Sequence, residues 1–196
     1  MHHIYQTRGF VLGSNVFGEA NCSFKVFTKD LGLIKVTAQG IRLLKSKLRY
    51  SIHDYSCCDI SLVRGKEMWR VTGASKHFDL YREFSGNSLI FQLFVRVFSL
   101  LERLLPGEEK NEILFNYVDE SVNYAKNNSL NGEMARNFEY ILVLRILFSL
   151  GYLGSSPDTS SFIESPYWSE DLLKKMSESN QKILVEINKS LKERQL

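Results

Sequence analysis

A chain of 196 residues with 44% apolar and 24% charged residues has the make-up of one large or two small globular domains. That excludes a mostly disordered chain, and 3 Pro and 12 Gly exclude a collagen-like or linker-dominated one. The net charge of +3 is unevenly spread: residues 1–80 hold twelve Lys or Arg against six Asp or Glu, residues 81–196 thirteen against sixteen. A basic excess confined to one part of a chain favours a polyanionic partner there. The cysteines, Cys22, Cys57 and Cys58, form too odd and sparse a set for a disulfide framework and suit a reducing compartment.

Residues Met1 to Gln6 are polar, with no basic segment leading into an apolar run, so no targeting signal is expected there. Tyr5 to Leu12 then reads as a first strand, broken by Gly13-Ser14-Asn15. Ser23 to Thr28, Leu33 to Ile41, Asp54 to Val63 and Met68 to Ala74 follow as four more, the last two parted by Arg64-Gly65-Lys66. Five short strands with turn residues between them suggest a small barrel or sandwich. From Asn87 the period changes. Leu89, Leu93, Val97, Leu100 and Leu104 recur at helical spacing until Pro106-Gly107. Glu108-Glu109 are read as opening a second helix, with Ile113, Tyr117, Val118, Val122 and Ala125 on its apolar face. Glu133 to Leu150 is a third helix stopped by Gly151. Its stretch Phe138 to Leu150 is the most apolar in the chain, but it is too short to span a bilayer and Arg145 interrupts it, so a buried helix in a soluble cytoplasmic protein is expected. Gly154 to Tyr167 reads as a loop, and Ser169-Glu170-Asp171 start a last helix that the polar residues Ser177 to Lys182 could interrupt. Strands followed by helices imply an α+β chain divided near residue 80, with 1–80 as one domain and 81–196 as an all-helical one.

Chemistry-bearing motifs are sparse. There is no nucleophile elbow, phosphate loop or dinucleotide fingerprint, and the carboxylates are scattered, so no catalysis is expected. Adjacent residues of a strand point to opposite faces, so Cys57 and Cys58 cannot chelate one ion, and no metal is expected. His2 and His3 sit at the chain start, and His53 and His77 read as ordinary surface or strand-end residues. The informative segment is Leu31 to His53, which carries Lys35, Arg42, Lys45, Lys47 and Arg49 and no acid. A basic loop between strands can track a phosphate backbone while nearby aromatics, Tyr50 and Tyr55, stack on bases. The blander reading is a solvated loop with Leu43, Leu44 and Leu48 tucked into the core, and the two are compatible. Arg8, Arg64, Lys66 and Arg70 extend the candidate DNA-binding set.

Thr7-Arg8-Gly9-Phe10-Val11-Leu12, then Phe17-Gly18-Glu19, Val26-Phe27-Thr28 and Leu31-Gly32, resemble the opening of the bacterial RecO recombination-mediator family. Ala38-Gln39-Gly40-Ile41-Arg42 with Lys45-Ser46-Lys47-Leu48-Arg49 is similar to its "A-K-G-x-R…S-x-L-R" stretch, and Arg64-Gly65-Lys66 to its hairpin before the fifth strand. Arg136-Asn137-Phe138-Glu139 and Leu150-Gly151-Tyr152 resemble its "R-x-F-E…L-G-Y". The resemblance implies a five-stranded OB-fold barrel followed by a helical domain. It further implies a non-enzymatic DNA repair protein, associated with the nucleoid, that binds single- and double-stranded DNA and anneals strands. Such a protein needs no nucleotide cofactor and contacts no membrane; it pairs with RecR, meets the tail of single-strand-binding protein (SSB) and so helps load RecA. The family's "R-x-F-E" helix helps form the slot for that tail, which here points to Arg136 and, one turn on, Tyr140. Three departures stand out: no cysteine cluster follows "L-G-Y", so no zinc is expected; the chain is short; and Gln39 replaces the lysine of "A-K-G". The alternative reading is an interaction adaptor whose helices dock a partner and whose barrel binds DNA weakly or not at all.

Overall fold

The computed structural model describes residues 3–66, 68–164 and 167–193. His2 therefore lies outside the described residues. Five strands, β1 (Ile4–Phe17), β2 (Asn21–Thr28), β3 (Gly32–Ala38), β4 (Ser56–Arg64) and β5 (Trp69–Asp79), close into a barrel in the order β1-β2-β3-β5-β4. All neighbours are antiparallel except β3 and β5, whose parallel pairing at Val36–Trp69 and Thr37–Arg70 completes the ring. This five-stranded barrel ahead of helices is the OB-fold arrangement expected.

The first strand does not break at Gly13-Ser14-Asn15. Those residues pair with Lys25, Phe24 and Ser23 of β2, and the ladder shifts between Val11 and Gly13. An extra residue on one strand bends it and sharpens its twist. One long strand thereby pairs with β4 through Ile4–Phe10 and with β2 from Gly9 onward, which closes the barrel. Alternation fills the interior with Val11, Phe24, Val26, Ile34, Val36, Ile60, Leu62 and Val71. Part of the outer face is buried too. Phe10 and Cys57, paired across β1 and β4, are both fully covered, and the Phe98 ring lies 5.6 Å from that of Phe10. Cys58 faces the interior and its neighbour Cys57 does not, as strand alternation requires.

Among the described residues six helices follow: α1 (Leu80–Glu83), α2 (Ser88–Leu104), α3 (Glu112–Asn127), α4 (Gly132–Ser149), α5 (Ser160–Ile163) and α6 (Glu170–Glu193). Packing groups the residues otherwise than a single cut at residue 80. One compact unit comprises 1–85 with 94–112, the other 86–93 with 113–196. On α2 the buried column is Ile90, Leu93, Phe94, Val97, Phe98, Leu101 and Leu104, while Leu89 is exposed. Leu93, Val97 and Leu104 of the expected repeat are buried, and Phe94 and Phe98 widen that inward face. On α3, likewise, Leu114 and Phe115 are buried and Ile113 is exposed.

Glu108 and Glu109 do not open α3, which begins four residues after Glu108. They belong to the bent segment between α2 and α3, which packs against the barrel. The Leu33 amide donates to the Gly107 carbonyl at 2.8 Å, and Glu108 accepts from the Trp69 indole at 3.2 Å and pairs with Arg64. Gly32, at φ +71°, lies so close to this segment that a Cβ would sit 2.2 Å from the Glu109 carbonyl oxygen. The Glu108 side chain thus meets barrel side chains instead of a helix start.

In the second unit, α4 starts at Asn131, whose side chain accepts from the Met134 amide, and ends at Gly151 with φ +71°. Helix α6 is continuous through Ser177 to Lys182. Buried Asn137 of α4 donates to the Leu173 carbonyl at 3.0 Å and to Ser177 Oγ at 2.7 Å, and Ser177 donates to Glu133. That polar stretch is a docking seam rather than a break. The expected loop 154–167 contains α5, whose Phe162 and Ile163 are buried. The buried helix expected over this stretch is α4, and Arg145, the charge in its apolar run, is itself fully buried. Its Nε donates to the Phe162 carbonyl at 3.0 Å and an Nη to that of Tyr167 at 3.3 Å, and its guanidinium lies 4.3 Å from the Trp168 ring centroid. Among the described residues no helix is long and apolar enough to cross a membrane.

Candidate nucleic-acid interface

The segment from β3 to β4 is pinned at both ends by buried isoleucines, Ile41 and Ile52. Gly40 and Arg42 tie its start to the β1–β2 turn. The Gly40 amide donates to Asn21 Oδ1 at 2.9 Å, and Arg42 donates from its backbone to the Ala20 carbonyl and from its guanidinium to that of Glu19, both at 3.0 Å. A hydrogen-bonded turn at Leu43–Ser46 and a single 3-10 turn at Leu48–Tyr50 complete it. The loop is thus held, not loose. Of its three leucines only Leu48 packs against the core; Leu43 is 57% and Leu44 84% exposed, contrary to the expectation that all three tuck in.

Arg42, Lys45, Lys47 and Arg49 are all exposed on this loop. Among the described residues Lys45, Lys47 and Arg49 make no ion pair, so their charges are uncompensated. Tyr50 stands exposed beside them, whereas Tyr55 is half-buried toward Phe98 at 6.3 Å between ring centroids. Lys35 is exposed on β3, and Arg70 is exposed on β5 opposite Thr37 of β3, so the parallel pairing brings these two strands' cations to one side of the ring. Lys66 is exposed in the β4–β5 turn. Two other candidates are compensated: Arg8 meets Asp59 at 3.4 Å on the β1–β4 pair, and Arg64 is held by Glu108 with its guanidinium 4.7 Å from the Trp69 ring centroid. The candidate set therefore divides into an unpaired group on the loop and neighbouring strands, and two arginines committed to the fold.

A hollow of about 590 Å³ beside the loop escaped sequence reasoning. Its lining draws on residues from four separate stretches of the chain, and no local spacing marks them. On α4, Arg136 is exposed and Tyr140 half-buried, four residues apart as the helix dictates. Arg136 has no carboxylate partner among the described residues. His53 and His77 make ordinary contacts, His53 Nε2 with Asp79 at 3.3 Å and His77 with Asp59. Among the described residues no three His, Cys, Asp or Glu side chains gather as a metal site. Burial pushes the Cys58 thiol up to about 12, so it stays protonated and unreactive at neutral pH.

Residues 1–77 match the family described as Recombination protein O N terminal. The chain is 29% identical over 133 residues to the DNA repair protein RecO of Rubrobacter xylanophilus, covering 60% of this chain and 54% of that protein. It is 24% identical over 161 residues to DNA repair protein RecO of Alkaliphilus metalliredigens, covering 82% of this chain and 62% of that one. Residues 1–77 are a RecO N-terminal domain. A third RecO relative, from Dehalococcoides mccartyi, is 29% identical over 113 residues, 58% of this chain and 44% of its own. The chain thus matches about half the length of these curated RecO proteins. The residues matched by the family description take in the whole basic loop, so the uncompensated cations lie within the part of the chain that is recognisably RecO.

Proposed function

We propose that this chain is a non-enzymatic DNA-binding recombination mediator of the RecO family, with the loop at 42–49 as its principal phosphate-binding surface. The observation that carries the reading is the run of exposed, uncompensated cations on a hydrogen-bonded loop in a stretch without any acid. Lys35, Lys66 and Arg70 broaden that surface; Arg8 and Arg64 contribute less, because each already has a carboxylate. In this reading the protein binds single- and double-stranded DNA, anneals strands in the cytoplasm, and with RecR helps RecA onto SSB-coated DNA. The test is the salt dependence of binding to labelled oligonucleotides. Five phosphate contacts give a single-strand slope of about −3.5 on logarithmic axes, and affinity falls on the order of a hundredfold between about 50 and 200 mM salt. Binding that ignores salt would overturn the assignment.

The SSB tail is assigned to Arg136 and Tyr140. An acidic peptide with a terminal aromatic needs a cation beside an apolar ring, and the unpaired guanidinium one turn from Tyr140 supplies both. Arg136→Ala is expected to weaken a fluorescent tail peptide by about 1.5–3 kcal/mol, the range for a hydrogen bond to a charged group, while DNA binding is unchanged. Peptide affinity equal to wild type rules the site out.

A further inference from the structure

The hollow beside the loop has an apolar floor and a charged rim. Cys22, Phe24 and Ile52 form its floor, all nearly buried, and Arg42, Arg49 and Asp54 stand around it. Arg42 and Asp54 both lie close enough to Cys22 for their charges to act on its thiol, in opposite senses. All six residues line the same hollow.

The rim and floor together select a kind of occupant. A bare phosphate would meet the two arginines but also the Asp54 carboxylate, and an apolar floor gives it nothing to bond. An aliphatic side chain would suit the floor and leave three charges desolvated without partners, which is costly. A flat heteroaromatic ring with an N–H edge and an attached phosphate satisfies all of them. Its face or edge covers the floor, its N–H donates to Asp54, and the phosphates on either side meet Arg42 and Arg49. Each of the four bases carries an N–H on its pairing edge, so the match does not depend on sequence. The space is several times larger than one base needs, so a base can enter without displacing the barrel core. Its position continues the phosphate path, since Arg42 and Arg49 belong both to the loop and to the rim.

We infer that this hollow receives one nucleobase turned out of a bound single strand, with Arg42 and Arg49 on the flanking phosphates and Asp54 on the base's N–H edge. The inference rests on DNA binding through the loop. It adds that the strand is held by a base as well as by its backbone, an arrangement suited to a protein that must keep a strand unstacked before it pairs again.

Cys22 makes the idea testable in the unaltered protein. A single-stranded oligonucleotide is prepared with one central base bearing a short tether that ends in an activated disulfide. If that base enters the hollow, the Cys22 thiolate attacks the tether sulfur. A protein–DNA S–S bond forms, the tether's own S–S bond breaks, and the leaving thiolate departs with the electron pair. The exchange is run at pH about 8.5, because burial raises the Cys22 thiol and slows it at neutral pH. The expected product is a one-to-one adduct that maps to Cys22, is absent in Cys22→Ser, and leaves Cys57 and Cys58 unmodified. As a second measurement, a strand with abasic sites throughout should bind wild-type protein about tenfold or more weakly than the ordinary strand, with the salt slope unchanged, because the bases are removed and the phosphates are kept. Cys22→Phe, which fills the hollow, should bring the ordinary strand down to the abasic level; the adduct experiment decides the matter if that variant does not fold. A strand that binds with the expected salt dependence but gives no Cys22 adduct overturns the base site and leaves the phosphate reading standing. A strand that does not bind overturns both.

Discussion

Replacing Lys45, Lys47 and Arg49 together with Glu is expected to abolish oligonucleotide binding, lowering affinity on the order of a hundredfold or more at about 0.1 M salt, because three phosphate contacts are lost and three repulsions gained. The structure says why this change should act on binding alone. The three side chains are exposed, none has an ion pair to lose among the described residues, and the loop is held by Ile41, Leu48, Ile52 and its backbone hydrogen bonds rather than by its charges. Exposed substitutions away from caps and cores usually change stability by no more than about 0.5 kcal/mol. The variant should therefore melt close to wild type. Electrophoretic shift or fluorescence anisotropy provides the check, and wild-type affinity in a folded triple variant would remove the loop from the interface. Reversing Arg8, already matched to Asp59, should by comparison cost little.

The second large effect is on stability. Arg145→Ala removes a buried guanidinium that donates to the Phe162 and Tyr167 carbonyls and stacks near Trp168. The carbonyls lose their donors, the ring loses its cation, and a void remains; the expected loss is about 3–5 kcal/mol, from unsatisfied buried acceptors at about 1–3 each plus the cavity. Urea unfolding should show the midpoint shift at nearly constant slope. Arg145→Lys keeps the charge but loses the planar fork and should fall between the two. Burial lowers this guanidinium's pKa to about 10, so it remains protonated and donating at neutral pH. Arg145→Met fills much of the volume but supplies no donor, and it too should be less stable than wild type. Ala and Met variants as stable as wild type would mean that the guanidinium holds nothing in place.

Most of the barrel was legible because a strand with one buried face writes its register into alternate residues. β2 and β3 show this plainly in Phe24, Val26, Ile34 and Val36. The misread places share a cause: a long-range partner decided the outcome. Gly13-Ser14-Asn15 has turn chemistry, but β2 supplies it with a ladder. Glu108 has helix-start chemistry, but Arg64 and Trp69 claim it. Ser177 looks like a break until Asn137 reaches it from α4. Arg145 looked like an intrusion in an apolar run because the carbonyls that receive it come from residues 17 and 22 positions further on. At the interface, charge was visible in composition, since a stretch without acids needs no fold to be noticed. Which cations remain unpaired was not visible, because Asp59 and Glu108 meet Arg8 and Arg64 across 51 and 44 residues. The hollow beside the loop was hidden for the same reason: its lining comes from β1, β2, the loop and the approach to β4.

The cover that residues 94–112 lay over the barrel also sets an order of events during synthesis. All five strands have been made once Asp79 has been added, yet Phe10 still lacks the Phe98 ring, and Trp69 and Arg64 still lack Glu108. At the usual pace of about 5–20 residues per second, the ribosome needs roughly 2–7 s more to deliver the remaining stretch. Throughout that interval the nascent barrel presents an uncovered aromatic patch of the sort that chaperones bind. The same timing argues that a recombinant barrel should be cut after residue 112 rather than after residue 80, so that the chain carries its own cover.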